Sequence, residues 1–334
     1  MAAKTRAAAP EDIPAVIELL VAGGIARAGR DPLLWALAED PAAESAAALR
    51  FALEGERQPF RQAWLVAEAA GWVCGVAHSM RLPVPPIYAG RFGQPGLILG
   101  DSCVSDAAPD GTARALMEAA EADLLEDGAG VLLAAGVPGD GWAGQGQGAA
   151  YRDLTLYYNK ALGAEDVAAP DVRKAGEGDV AGIVAASAVN RRVLHQLDRF
   201  WEPHGEADAR FGAWMTKSLG LADRDMLVAG AEGKVEGYAV AQPAGPLHLP
   251  PAHDPARTGF LDDYYHADFA DPDRLADDGA GALALLNAAE AAFRSRGKLC
   301  ALVVCPAAWT SKRALLQRAG YEVGLVWGIR WPQA

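Results

Sequence analysis

The chain has 334 residues, with 43 acidic against 30 basic side chains and a formal net charge of −13. That charge opposes nucleic-acid binding, and no apolar run approaches the roughly 20 residues of a membrane span. Four cysteines without a spacing pattern, and N-terminal residues without a secretory apolar core, predict a cytoplasmic protein.

The first element is Arg6-Ala7-Ala8-Ala9-Pro10-Glu11-Asp12-Ile13, a strand running into a helix start. A hairpin follows, Ala63–Ala69 with Trp72–His78, turning at Ala70-Gly71 as a short hairpin loop requires. A long strand from Leu97 to Val104 leads into the turn Ala108-Pro109-Asp110-Gly111-Thr112-Ala113. The turn opens an amphipathic helix with Leu116, Met117, Ala120 and Leu124 on one side, stopping at Gly128. A strand ending at Pro138 comes next, then the glycine-rich run Gly139–Gly148. That run contains a formal G-x-G-x-x-G, but no helical pattern continues from it, and a dinucleotide site requires that helix.

After a stretch of small residues from Ala161 to Asp171, the order repeats. Arg173 and Asp179 are six apart, as Arg6 and Asp12 are. A hairpin is predicted from Met226–Ala231 and Val235–Ala241 through Glu232-Gly233-Lys234, then a strand from Phe260 to Phe269. The turn Ala276-Asp277-Asp278-Gly279-Ala280-Gly281 opens a helix carrying Leu285, Leu286, Ala289 and Phe293, which stops at Gly297. A strand ends at Pro306, and a late helix reads Trp309-Thr310-Ser311-Lys312-Arg313-Ala314-Leu315-Leu316-Gln317-Arg318-Ala319-Gly320-Tyr321. Copies offset by about half the chain indicate a domain duplication rather than a solenoid. Early hairpins with a late helical crossover give a mixed sheet and an α+β class. A helix N-terminus behind small residues presents free N–H groups and positive dipole to an anion such as phosphate.

This order, met twice, resembles a tandem member of the GNAT superfamily of N-acetyltransferases over nearly all of both halves. The resemblance implies two GNAT-like domains, residues 1–163 and 170–334, each a mixed β-sheet flanked by helices. It implies an N-acyltransferase using acetyl-CoA, or another acyl-CoA, as co-substrate, with a small amine as acceptor and no metal. The turns resemble the family's pyrophosphate loop. Cofactor contacts are accordingly expected at Cys103, Val104, Asp110, Gly111, Thr112, Ala113 and Arg114 in the first half. In the second they are expected at Phe269, Gly279, Ala280, Gly281 and Ala282, with Ser311 on the late helix. Aligning Phe269 with a valine of the family's fourth strand places Asp263 where many members carry the carboxylate that takes the acceptor's proton. Asp262 and His266 are neighbours able to substitute for it.

The departures carry information too. Ala108 and Ala276 stand where the family usually has Gln or Arg, and Asp110, Asp277 and Asp278 put negative charge at the turns. An Asp at a helix start satisfies the N–H groups itself and repels an anion. Thr112 and Arg114 supply possible phosphate contacts only in the first turn, so CoA binding is expected there. The late helix exists only in the second half, so chemistry is expected there, although Leu316 stands where the usual Tyr acid would be.

Two other classes stay open: a non-catalytic acyl-CoA-binding protein, and a mycothiol-synthase-like acetyltransferase, whose tandem architecture is similar. His248 and His253 lack the Cys or acidic partners of a metal site. Cys300 and Cys305 fall on opposite faces of one strand and cannot easily bridge. An acidic surface suits a cationic or amine-bearing acceptor. The oligomeric state is left open.

Overall fold

A computed structural model describes residues 2–55, 58–140, 142, 151–164, 167, 169, 171–231 and 233–332. Within them the first half runs β1 (Lys4–Ala7), α1 (Ile13–Arg30), α2 (Pro41–Glu54), β2 (Gln62–Ala69), β3 (Trp72–Arg81), β4 (Gly96–Ile98), β5 (Cys103–Val104), α3 (Thr112–Glu126), β6 (Leu132–Gly136) and β7 (Arg152–Ala161). The second runs β8 (Val172–Lys174), α4 (Val180–Leu197), α5 (Ala207–Leu219), β9 (Asp225–Ala229), β10 (Gly237–Pro243), β11 (Thr258–His266), α6 (Ala280–Ser295), β12 (Cys300–Pro306), α7 (Thr310–Arg318) and β13 (Glu322–Arg330). Both amphipathic helices expected after the turns form, and both are followed by left-handed glycines, Gly128 and Gly297.

The Arg…Asp spacing is a structural clamp in both halves. Arg6 reaches Asp12 with two hydrogen bonds of 2.6 and 2.8 Å, and Asp12 also accepts from the Ala9 amide. Arg173 and Asp179 repeat this at 2.7 and 2.6 Å, with the Gly176 amide as the third donor. Each clamp ties an edge strand to the start of the following helix. The guanidinium holds each carboxyl below its usual range.

The strands join one continuous mixed sheet in the order β1-β2-β3-β4-β6-β13-β7-β12-β11-β10-β9-β8, with β5 pairing β3. The halves exchange their last strands. β7 leaves β6 and pairs antiparallel with β12, Cys300 opposite Ala161, while β13 returns to pair with β6, Val326 opposite Gly136. β7 and β13 pair with each other at the centre. Helices cover both faces. In the first half α3 packs on one face through Leu116, Met117, Ala120 and Leu124, and α1 and α2 on the other through Val16, Leu20 and Leu49. In the second, α6 buries Leu285, Leu286, Ala289 and Phe293, and α4 and α5 bury Ile183, Phe211 and Met215.

Two strands differ from expectation. The strand from Leu97 to Val104 is broken, with residues 99–102 bulging between β4 and β5. The strand from Phe260 ends at His266 and continues as a single 3₁₀ turn, Ala267–Phe269. Phe269 is therefore off the strand and does not share a strand face with Asp263. Of the glycine-rich run, Gly141 and residues 143–148 lie outside the described residues, as does Glu232 of the second hairpin turn. Among the described residues no helix is long and apolar enough to cross a membrane, and no group of His, Cys, Asp and Glu is arranged to hold a metal.

Candidate active site

The site begins with a register shift. On β10 and β11, Ala239 faces Tyr264 and Ala241 faces Leu261, so Val240 alone opposes Asp262 and Asp263. A bulge of this kind bends the strand and re-aims the extra side chain. Both carboxylates line one cavity of about 270 Å³, roofed by the loop of residues 82–95 from the first half. Backbone bonds fix the roof: Ala89 N–H donates to Glu202 O at 2.7 Å and His204 N–H to Ile87 O at 2.9 Å. Arg91 pairs with Glu202.

The cavity sets the acidity of its carboxylates. By surface area Asp262 is exposed and Asp263 half-buried; both contribute wall to a largely apolar cavity, and Asp263 is the more poorly solvated of the two. Burial first, and then the charge of Asp262, push Asp263 up to about 7. Burial raises Asp262 as well, against the pull of Lys312. The Tyr238 hydroxyl donates to Asp263 Oδ1 at 3.4 Å, a long bond that favours the ionised form only modestly. A carboxylate poised near neutrality suits a general base.

Beside it, β11 and β12 run parallel from Thr258 opposite Cys300 to Leu261 opposite Val303 and then part. In this structure Lys312 of α7 fills the gap. Its Nζ donates to Tyr264 O at 2.8 Å and lies 5.0, 5.9 and 5.6 Å from the ring centres of Tyr264, Phe269 and Trp309. Burial lowers its pKa, opposed by Cys305, Asp262 and Asp263. Ser311, expected at the cofactor, is committed to the 271–272 backbone: its hydroxyl donates to Asp271 O and its amide to Pro272 O.

The second turn is filled from within. Asp268 accepts the Ala282 amide at 2.9 Å and lies 3.2 Å from His266 Nδ1. The His266 ring rests directly on Gly281, where a Cβ would overlap it. A buried carboxylate thus already caps the positive end of α6. His266 is consequently drawn away from Asp262 and Asp263 and does not line their cavity. Gly279 is left-handed at φ 71°, with Leu315 against it, while Ala280 begins α6.

The first turn is open. A cavity of about 520 Å³ is lined by residues that include Val104, Asp110, Thr112, Ala113, Arg30 and Trp142. Gly111, left-handed at φ 81°, has open space where a side chain would stand. Thr112 Oγ1 donates to Pro109 O at 2.6 Å, so its hydroxyl proton is already engaged. Arg114 is exposed and pairs with Glu118 at 2.9 Å. Cys103 is buried beneath the groove, its thiol pushed up to about 12 by burial. Arg30 is a cation at this groove that sequence reasoning did not single out.

A second carboxylate was also missed. Asp101 is on the bulge between β4 and β5, opposite β3, the position in the first half that corresponds to Asp262 and Asp263. His78 Nδ1 lies 2.9 Å from Asp101 Oδ2, and its Nε2 lies 3.1 Å from Gln62 Oε1, with the ring stacked on Trp64 at 3.8 Å. The signal was available: a lone Asp just before Val104 in a strand aligned with the Asp263 strand. The loop of residues 244–257 from the second half pairs back onto the first half through Leu37 and His253. His253 Nδ1 bonds Trp35 O at 3.0 Å, and both residues are buried.

A sheet that parts beside a bulged strand, with a helix N-terminus above the parting, defines the GNAT fold, and this chain carries it twice in tandem. No protein-family model and no curated protein matches the sequence. Among solved structures, a GCN5-related N-acetyltransferase from Sphaerobacter thermophilus is 16% identical over 99% of this chain and 97% of its own, with a TM-score of 0.54. A tandem GNAT protein from the clavulanic acid biosynthesis pathway is 14% identical over 98% and 97%, with a TM-score of 0.49. A GCN5-related N-acetyltransferase from Kribbella flavida is 15% identical over 98% and 71%, with a TM-score of 0.43.

Proposed function

We propose that the protein is an acyl-CoA-dependent N-acyltransferase whose acceptor is a small amine, with chemistry in the second half. The observation that carries this is Asp263, a carboxylate held near neutral pKa in an apolar cavity beside the parting of β11 and β12. Asp263 takes a proton from the acceptor's ammonium, leaving the nitrogen lone pair free. The new C–N bond then forms as the C–S bond of the thioester breaks, and the extra proton left on the nitrogen passes, through water, to the departing thiolate. Lys312 is a buried cation beside both carboxylates, placed to stabilise that thiolate once it leaves the Tyr264 carbonyl. The turn at Gly111 in the first half offers a separate open groove, with Arg30 beside it, for a second acyl-CoA that takes no part in this step.

A specific feature favours a second reading, a non-catalytic acyl-CoA-binding protein. The parting of β11 and β12 is filled by Lys312 and three aromatic rings, and the helix above it is capped by Asp268. Release of free thiol from acetyl-CoA with a panel of primary amines tests the two. Transfer should occur and fall by about 10²–10⁴-fold in Asp263→Asn, with Asp101→Asn close to wild type. Retained acyl-CoA in native mass spectrometry, with no transfer to any amine, would establish the binding protein instead.

A further inference from the structure

Resting on the acyltransferase reading, the structure assigns the roofed cavity to a hydrophobic primary amine, its ammonium between Asp262 and Asp263 and its apolar body against the roof. Charge makes the first part of the case. Two carboxylates face the chamber against one buried ammonium, that of Lys312, and Asp263, the more buried of the pair, has no cation bonded to it, so a cation brought to it is favoured. The other nearby cation, Arg191, is already bonded to Ser187 and Asp208. The remaining ionisable groups around the carboxylates are the hydroxyls of Tyr88, Tyr157 and Tyr238, all held neutral by burial. A monocationic ligand completes the balance.

The lining makes the second part. Away from the carboxylates, Ile87, Phe92, Leu133, Leu194, Trp201 and Trp327 form the wall. Polar side chains there are few, Thr155, Asn190 and the hydroxyls of Tyr88 and Tyr157, so a polyamine or amino sugar would lose more hydration than it regains. An amino acid fares no better, because its carboxylate would add a third negative charge beside Asp262 and Asp263, with Lys312 as the one cation lining the chamber. A volume of about 270 Å³ falls just below the ~300–1,000 Å³ of drug-sized pockets. It therefore suits a single ring on a short amine and excludes a peptide.

Calorimetry on the full chain at pH 8 tests this with 2-phenylethylamine, ethylamine, 2-phenylethanol and 3-phenylpropionate, with turnover of acetyl-CoA followed separately. Burying one ring predicts about 10–150-fold tighter binding of 2-phenylethylamine than of ethylamine. The alcohol should bind at least about tenfold more weakly than the amine, having no charge for the carboxylates, and the acid should not saturate. Asp263→Asn should remove most of the preference for amine over alcohol. Equal affinity for the two amines, or binding of the acid on a par with the amine, overturns the assignment. Selective binding without turnover upholds the amine chamber and removes acyl transfer. Turnover that prefers ethylamine or spermidine upholds acyl transfer and overturns the hydrophobic class.

Discussion

Asp263→Asn should stabilise the protein at the pH where it slows transfer by about 10²–10⁴-fold. Burial and the Asp262 charge lift the folded-state pKa of Asp263 from 3.8 to about 7, while the unfolded chain keeps the ordinary value. A raised folded pKa favours the protonated fold, so the stability linked to Asp263 is fully present below pH ~4. It is lost between pH ~4 and ~7 as the unfolded state ionises first. Three pK units correspond to about 4 kcal/mol at ~1.36 kcal/mol each, and contact with water inside the cavity reduces this to ~2–4 kcal/mol. Asn keeps the shape and discards the charge. Urea denaturation across pH 4–8 should therefore show the variant equal to wild type at pH 4 and more stable by ~2–4 kcal/mol at pH 8, while wild-type kcat/KM rises with pH through about 7. A stability difference that does not change with pH would refute the account of a base made by desolvation, and Asp263 would be an ordinary solvated carboxylate.

Three further outcomes are expected. Lys312→Met removes the cation that lowers both carboxylates, so the pH–rate midpoint should move upward from about 7; a downward or absent shift would place Lys312 outside the electrostatics of the site. Gly111→Val puts a β-branched residue at φ 81° in the turn that borders the open groove, which costs about 1–2 kcal/mol of backbone strain. It should weaken acetyl-CoA binding by calorimetry while circular dichroism stays native, and unchanged affinity would move the cofactor elsewhere. Asp179→Asn takes the charge from the second clamp and should cost about 1–3 kcal/mol at pH 7. Because Arg173 depresses this carboxyl, its contribution is present above the ordinary carboxylate range and fades as pH falls through the lowered folded value, so chemical denaturation at pH 7 and below pH 3 should show the loss shrinking.

What the sequence determined by itself is local. The two turns, their left-handed glycines, the helices they open and the stop glycines all depend on residues a few positions apart. The repeated Arg and Asp belong here as well, since a six-residue spacing builds each clamp. The placement of Asp263 on a strand was also legible. The bulge that brings Asp262 into the same cavity was not, because it depends on register against β10. Tertiary structure alone decided the rest. The exchange of β7 and β13 leaves no mark in the alternation along either strand, since a strand buried on both faces reads alike beside either neighbour. The second turn is closed by Asp268, which caps an amide 14 residues on, and the other gaps are filled by side chains arriving from farther along the chain. Lys312 reaches a carbonyl 48 residues away, and His253 of the second half reaches one 218 residues away in the first. Asp101 and His78 meet across 23 residues. Propensity and spacing act within a turn or two of chain, whereas the filling of a groove is a packing event that only the folded sheet brings about.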